Sequence, residues 1–247
     1  MNLLLVDAAE VRDGRVVLPT ADRRAIHLRA VLGVAVGRTL RAGVIGGGLG
    51  TAEVLAVNAD AIELALGELA PPPPPWPVTL VLAVPRPKVL ARALETAAAF
   101  AVERIELVNA WRVDKAYFGS PRMEPAALAE HVRLGAEQGV TTHLPPVRVH
   151  ARLMGFLDEQ HPIGATATGP WLCAHPRAAT PIEGAAPGAG GPTVLALGPE
   201  GGWIEREVET FAARGFAIVA LGDAVLRTEA AVAGALAQLA LLARVRR

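Results

Sequence analysis

The sequence predicts an α/β protein in two parts, a small β-rich domain over residues 1–70 and a larger α/β domain over 78–247. Three observations carry this. Residues 71–77 read PPPPPWP, a run that joins neither a helix nor a central strand and settles into an extended, semi-rigid spacer. Before it, short apolar stretches are separated by turn residues. After it, continuous apolar runs alternate with segments of helical spacing, the rhythm of βαβ units around a mostly parallel sheet.

In the first part, strands are expected at 2–6, 16–18, 39–45, 51–57 and 61–66, with a hairpin turn at Gly46-Gly47-Gly48 to Gly50. Thr20 is the expected cap of a single helix over 21–32, stopped by Gly33. Several short strands and one helix in so few residues suggest a small barrel. In the second part, strands are expected at 78–83, 105–108, 147–149, 171–174, 193–197 and 218–221. Helices are expected at 89–100, 125–138 (with Pro125 in its first turn), 152–159, 204–214 (stopped by Gly215) and 228–244. A Pro/Gly/Ala loop precedes the strand at 193–197.

Composition excludes several classes. The 24 basic and 24 acidic residues balance, so no global field draws the chain to nucleic acid. Locally, seven arginines between Arg12 and Arg41 face only Asp13 and Asp22, a cluster that either attracts phosphate or forms a solvated face. Cys173 is the single cysteine, so no internal disulfide and no cysteine zinc site can form. The six histidines show no ligand spacing, and no metal is expected. MNLLLV lacks the charged start of a signal peptide, and the apolar stretch 230–243 is short for a bilayer span, so a cytoplasmic protein is expected.

Three apolar strands near the C-terminus run into polar or glycine-rich loops, and in open α/β sheets ligands sit beyond the carboxyl ends of strands. The loops are Cys173-Ala174-His175-Pro176, Gly198-Pro199-Glu200-Gly201-Gly202 and the stretch from Gly222 to Glu229. The second lacks the spacing of a dinucleotide fingerprint and the Lys-Ser/Thr of a P-loop, which argues against a phosphate cradle and against a nicotinamide dehydrogenase. Its bare backbone suits a neutral, flat ligand such as adenine; the alternative is a tight turn with no ligand.

LALGPEGGWIEREVE (195–209) followed by GFAIVALGDAVLRTEAAVAGAL (215–236) resembles the C-terminal signature of the RsmE-type 16S rRNA (uracil-N3) methyltransferases, a family of the SPOUT class. Val225 and Ala230 replace the usual Ile and Thr. His27-Leu28 with Val31-Leu32, and Ala136-Glu137-Gln138 with Pro145, are weaker echoes along the chain. The resemblance implies a PUA-like RNA-binding β-barrel, then a SPOUT α/β domain with a deep trefoil knot. It further implies S-adenosyl-L-methionine bound across a homodimer interface, ribosomal RNA or the small ribosomal subunit as partner, and uracil N3 as acceptor. Carried over by motif, the cofactor contacts are Leu172 and Ala174 in the first loop; Leu197, Gly198, Pro199, Glu200, Gly201 and Gly202 in the second; and Leu221, Gly222, Val225, Leu226 and Ala230 in the third.

Uracil N3 carries a proton, so transfer needs that proton removed or the resulting anion stabilised. Arg227 is the candidate for stabilising charge on the uracil oxygens, or else pairs with Glu229 or Glu200. Glu200 and Glu229 are candidates for a base or a ribose contact; Glu229 alternatively serves as a helix N-terminal carboxylate. N3 lies on the Watson–Crick edge, so the target base must be unpaired. Trp203, Trp111 and Tyr117 are candidates for stacking, with Trp203 preferred for its place beside the cofactor loop and core packing as its alternative. Arg23, Arg24 and Arg29 are expected on RNA phosphate, and Arg112 stands at the family's ER-S arginine. The chain departs from the family at Gly33, at Gly139-Val140-Thr141-Thr142, and at Glu95 with Ala99-Phe100-Ala101. These departures leave open a SPOUT methyltransferase acting on another RNA or atom, such as a ribose 2′-hydroxyl; a further alternative is a non-catalytic RNA-binding relative, against which the intact GPEGG and LRTEA motifs argue.

Overall fold

The structure is a computed structural model that describes residues 1–185 and 191–245. The chain forms two compact units, one of Met1–Pro74 with Arg133–Leu144, the other of Pro75–Val132 with Pro145–Arg247.

The first unit holds a five-stranded mixed sheet in the order β1-β3-β4-β5-β2. Its strands are β1 (Leu4–Val6), β2 (Arg15–Pro19), β3 (Thr39–Val44), β4 (Leu49–Val57) and β5 (Ala61–Ala70). The glycine turn does join β3 to β4 as an antiparallel hairpin, with Gly46 at φ 66°. Helix α1 (Arg23–Ala30) is capped by Asp22, whose side chain accepts from the Arg24 N–H at 2.7 Å. The expected cap, Thr20, instead donates its hydroxyl to the Ala59 carbonyl at 2.6 Å. Asp22 stands immediately before the first turn, where its carboxylate reaches the backbone N–H, while the Thr20 hydroxyl lies two residues earlier and is bonded elsewhere.

β1 shows why residues 133–144 belong with this unit rather than with the domain that the sequence outlines over 78–247. Side chains alternate across a strand. Leu4 and Val6 enter the main core with Val16, Leu18, Leu28, Val54, Ile62 and Leu64. Leu3 and Leu5 face the other way and pack with Ala136, Val140 and Leu144. Thr142 completes the attachment: its hydroxyl donates to the Gly47 carbonyl at 2.9 Å and its carbonyl accepts from the Gly46 N–H at 2.9 Å.

The second unit is a seven-stranded sheet in which every observed pairing is parallel. Its strands are β6 (Trp76–Ala83), β7 (Val102–Val108), β8 (Val147–His150), β9 (Trp171–Ala174), β10 (Thr180–Pro181), β11 (Thr193–Leu197) and β12 (Ala217–Ala220), ordered β10-β12-β9-β11-β6-β7-β8. The sequence gives no sign of β10, which is two exposed residues long. Helices are α2 (Pro87–Ala99), α3 (Pro125–Gly139, whose second half lies in the first unit), α4 (Leu153–Gln160), α5 (Ile182–Ala185), α6 (Glu205–Ala213) and α7 (Thr228–Val245). Part of the Pro/Gly/Ala loop before β11, residues 186–190, lies outside the described residues.

The continuous apolar runs become strands buried on both faces, as parallel strands covered by helices must be. Val78 and residues 80–84 of β6 and its exit, and Leu195, Ala196 and Leu197 of β11, are all buried. α7 is long and apolar enough to cross a membrane by length and composition. Its Val232, Ala235, Leu236 and Leu239 are buried inside the protein, where the helix packs on α2 and β11.

Candidate active site

Along the second unit the chain runs β6, β7, β8 outward in one direction. It then returns to the other side of β6 for β11, β9 and β12. The order therefore reverses between β6 and β11, and crevices for ligands form outside the carboxyl ends of strands at such a reversal. Because all these strands are parallel, the loops after β6, β7, β9, β11 and β12 leave from one edge of the sheet.

The loop after β11 spans this reversal. Glu200 is exposed, and its carboxylate accepts the Arg86 N–H from the loop after β6 at 2.9 Å. Arg112, on the loop after β7, donates from Nη1 to the Gly201 carbonyl at 2.6 Å. A Cβ at Gly201 would stand 3.1 Å from the Arg112 Cδ, so this approach uses the missing side chain. Gly198 serves differently: a Cβ there would sit 3.2 Å from the Trp203 nitrogen and 3.3 Å from its indole. Leu197 and Pro199 are buried, Gly198 and Gly202 are half-buried, and Gly202 takes φ 70°.

Trp203, the preferred candidate for stacking, is a buried residue. It is 3% exposed and lies under the loop, with its ring centroid 5.0 Å from that of Phe211. Its indole N–H is buried without a hydrogen-bond partner among the described residues. The core-packing alternative therefore describes it. The large ring, placed where the chain turns from strand to helix, buries its apolar surface against Phe211.

The loop after β9 begins at Ala174, half-buried, with Leu172 and Cys173 buried in the strand. Burial, aided by the Glu207 charge, pushes the Cys173 thiol well above its ordinary range, leaving it an inert packing group. The loop after β12 is tethered at its start: the Leu221 carbonyl accepts the Gln238 side-chain N–H of α7 at 2.7 Å. Residues 222–227 are all exposed, with Gly222 at φ 148° and Val225 80% exposed. Arg227 makes no ion pair among the described residues, so the alternative of a bridge to Glu229 or Glu200 is not formed there. Glu229 sits in the first turn of α7, half-buried, and Ala230 is exposed.

Sequence reasoning missed Glu207. This carboxylate is buried at 4% exposure, yet both oxygens are bonded: Oε2 accepts the Ile204 N–H at 2.9 Å and Oε1 accepts the Trp111 N–H at 2.8 Å. It therefore ties the start of α6 to the loop after β7. An acidic residue three positions into a helix is a known signature of a start, and that part was readable; the contact across 96 residues was not.

In the first unit the three arginines expected on phosphate are engaged in the protein's own structure. Arg24 is 5% exposed and all five of its N–H donors are used, on Asp22, Glu10 and the Leu5 carbonyl. Arg23 forms a forked pair with the buried Glu137, at 2.7 and 3.0 Å. Arg29 donates to the carbonyls of Asn58 and Ala61. A guanidinium with carbonyls and carboxylates already in reach has its donors satisfied within the protein. Arg112 is placed at the candidate site, as described above.

Residues 72–240 match the RNA methyltransferase domain family. The ribosomal RNA small subunit methyltransferase E of Treponema pallidum (strain Nichols) is 29% identical over 238 residues, covering 96% of this chain and 90% of that protein. Among solved structures, a ribosomal RNA small subunit methyltransferase E from Neisseria gonorrhoeae bound to S-adenosyl methionine superposes with a TM-score of 0.74 at 22% identity, covering 98% of each chain. A methyltransferase from Legionella pneumophila in complex with the cofactor SAM gives 0.75 at 21%, covering 97% of each. The structural likenesses show a shared fold, and the match over most of the second unit shows that the chain belongs to the RNA methyltransferase domain family.

Proposed function

We propose that this chain transfers a methyl group from S-adenosyl-L-methionine to uracil N3 in 16S ribosomal RNA, through a SPOUT knot in the second unit and a PUA-like RNA-binding barrel in the first. One observation carries the reading: the motif-bearing loops after β9, β11 and β12 leave from neighbouring parallel strands at one edge of the sheet, beside the reversal of strand order. Cytoplasmic localisation and a homodimer belong to the same reading, and light scattering at micromolar concentration is expected to read twice the chain mass.

The residues fit the cofactor. The three loops offer bare backbone at Gly202 and Gly222, with open space where a side chain would be, and exposed apolar surface at Val225 and Leu226. That donor set suits a neutral adenine gripped by main-chain groups. Leu172, Ala174, Leu197, Gly198, Pro199, Glu200, Gly201, Leu221 and Ala230 complete the assigned set. When bound, S-adenosylmethionine supplies a methyl group on a positively charged sulfur. The chain's own task is alignment, which in favourable systems lowers a barrier by about 7–11 kcal/mol. Arg227, exposed and unpaired among the described residues, stabilises negative charge on the uracil oxygens. Glu200 keeps one carboxylate oxygen clear of the Arg86 bond, and Glu229 lies in the first turn of α7, two residues along the chain from Arg227; either receives the N3 proton or holds the ribose.

The test is methylation of total ribosomal RNA from a strain lacking this protein, with the modified nucleoside identified by mass spectrometry. N3-methyluridine is expected. A 2′-O-methylated nucleoside would move the acceptor to the ribose, and no product with intact RNA binding would mark a non-catalytic relative.

A further inference from the structure

We propose that Trp111 is the platform on which an unpaired RNA base stacks as it enters the cofactor loops, an assignment that rests on the methyltransferase reading above. Trp111 is 79% exposed, whereas Trp203 is buried under the GPEGG loop and Trp171 packs with His161 and Phe216. A tryptophan left in water forgoes the burial of a large apolar surface, so the fold itself gains nothing from its ring.

The ring is exposed from a fixed backbone. On either side of the pair Trp111-Arg112, Ala110 and Val113 are buried, and the Val113 N–H closes a turn onto the Ala110 carbonyl at 3.1 Å. The Trp111 N–H is held by the buried Glu207 carboxylate at 2.8 Å. A buried carboxylate is expensive unless its lone pairs are used. Glu207 uses one oxygen on the loop after β7 and the other on the start of α6, which begins right after the GPEGG loop. The next residue, Arg112, reaches the Gly201 carbonyl. Trp111 therefore stands one residue from a direct contact with the assigned cofactor loop, on a turn pinned at three points.

The surroundings select the occupant. Arg112, Asp114 and Lys115, the nearest charged neighbours along the chain, are all exposed. A single flat ring among charges does not make an apolar patch for a protein partner, but it matches an unpaired base, which brings a π face and a phosphate together. The requirement for an unpaired base follows independently from the position of N3 on the pairing edge.

The experiment uses the full chain and two probes, single-stranded oligouridylate and total ribosomal RNA from the deletion strain. Trp111→Ala is expected to weaken oligouridylate binding and raise KM for ribosomal RNA about 5- to 100-fold, the range of one lost base stack. S-adenosylmethionine affinity is expected to stay within twofold. Trp111→Phe should restore most of the loss, because a π face remains, and Trp111→Leu should not. Binding that is unchanged in Trp111→Ala, or restored equally by Leu, overturns the proposal while wild-type methylation leaves the enzyme reading standing. A change of oligomeric mass in Trp111→Ala overturns it in favour of a contact between copies. A wild-type protein that neither binds S-adenosylmethionine nor methylates RNA overturns both.

Discussion

At the scale of single residues, the chain spends its charges on itself. Arg24 is the clearest case, with Glu10 and Asp22 held below the ordinary carboxylate range chiefly by its hydrogen bonds. Arg24→Ala is expected to destabilise the protein by about 2–4 kcal/mol, somewhat below the loss for a fully buried pair because both carboxylates keep some contact with water. Chemical denaturation measures this. Since the two folded carboxylates have depressed pKa values, their contribution is present above the usual carboxylate range and is lost as pH falls through their folded values; the variant should lose that part of the acid sensitivity. His161 adds a second acid-sensitive element. It is 5% exposed, lies between Trp171, Phe216 and Phe156, and is pushed down to about 4 by burial and then by the Arg104 charge. The unfolded imidazole takes up its proton near the ordinary value while the folded one resists. Stability therefore falls as pH drops from the unfolded value towards about 4, by about 3 kcal/mol in all. His161→Phe is expected to flatten this slope in denaturation curves recorded across that window. Its aromatic neighbours are legible in the sequence only as residues of a type; their meeting around one ring is a product of the fold.

At the scale of elements, boundaries written in local chemistry were legible and contacts between distant segments were not. The strands expected at 171–174 and 193–197 stand where apolar runs meet turn residues, and the glycine hairpin joins the strands it was expected to join. The cap of α1 was misassigned because Thr20 and Asp22 are both good caps, and only the position of the Ala59 carbonyl decides between them. Gln238, a polar residue within the apolar run of α7, is the tether that holds the Leu221 carbonyl and hence the start of the loop after β12. In that loop Gly222 has φ 148°, a conformation that side chains rarely adopt, with open space beyond it. Gly222→Val is therefore expected to refold the loop rather than clash with its neighbours, weakening S-adenosylmethionine binding by about 5- to 150-fold for a strain of about 1–3 kcal/mol. Isothermal titration reads the affinity, and a melting temperature within a few degrees of wild type shows that the exposed loop alone has changed. Unaltered affinity in the folded variant would remove this loop from the cofactor site.

At the scale of the whole molecule, net neutrality hides two differently built units. With Arg23, Arg24 and Arg29 bonded to carboxylates and carbonyls, Arg12, Arg15 and Arg41 are exposed arginines of the first unit whose side chains make no ion pair among the described residues. Replacing those three with Ala is expected to lower the log–log salt slope of RNA binding by about 2–3, at about 0.7–0.9 per lost phosphate contact, with cofactor affinity unchanged. Filter binding across a salt series measures it; an unchanged slope would place the RNA surface elsewhere. The α/β class, the alternation of elements and the motif-bearing loops were determined by the sequence alone, because they rest on patterns within a few residues: apolar periodicity, proline and glycine stops, and the two motifs in order. The structure alone decided the rest. It attached residues 133–144 to the first unit, buried Trp203, exposed Trp111, and set Glu207 between two loops that lie far apart in the chain. The physical reason is that burial and pairing depend on which surfaces meet. A side chain's type states what it can do; only tertiary contact settles whether its charge or ring is satisfied inside the protein or left for a ligand.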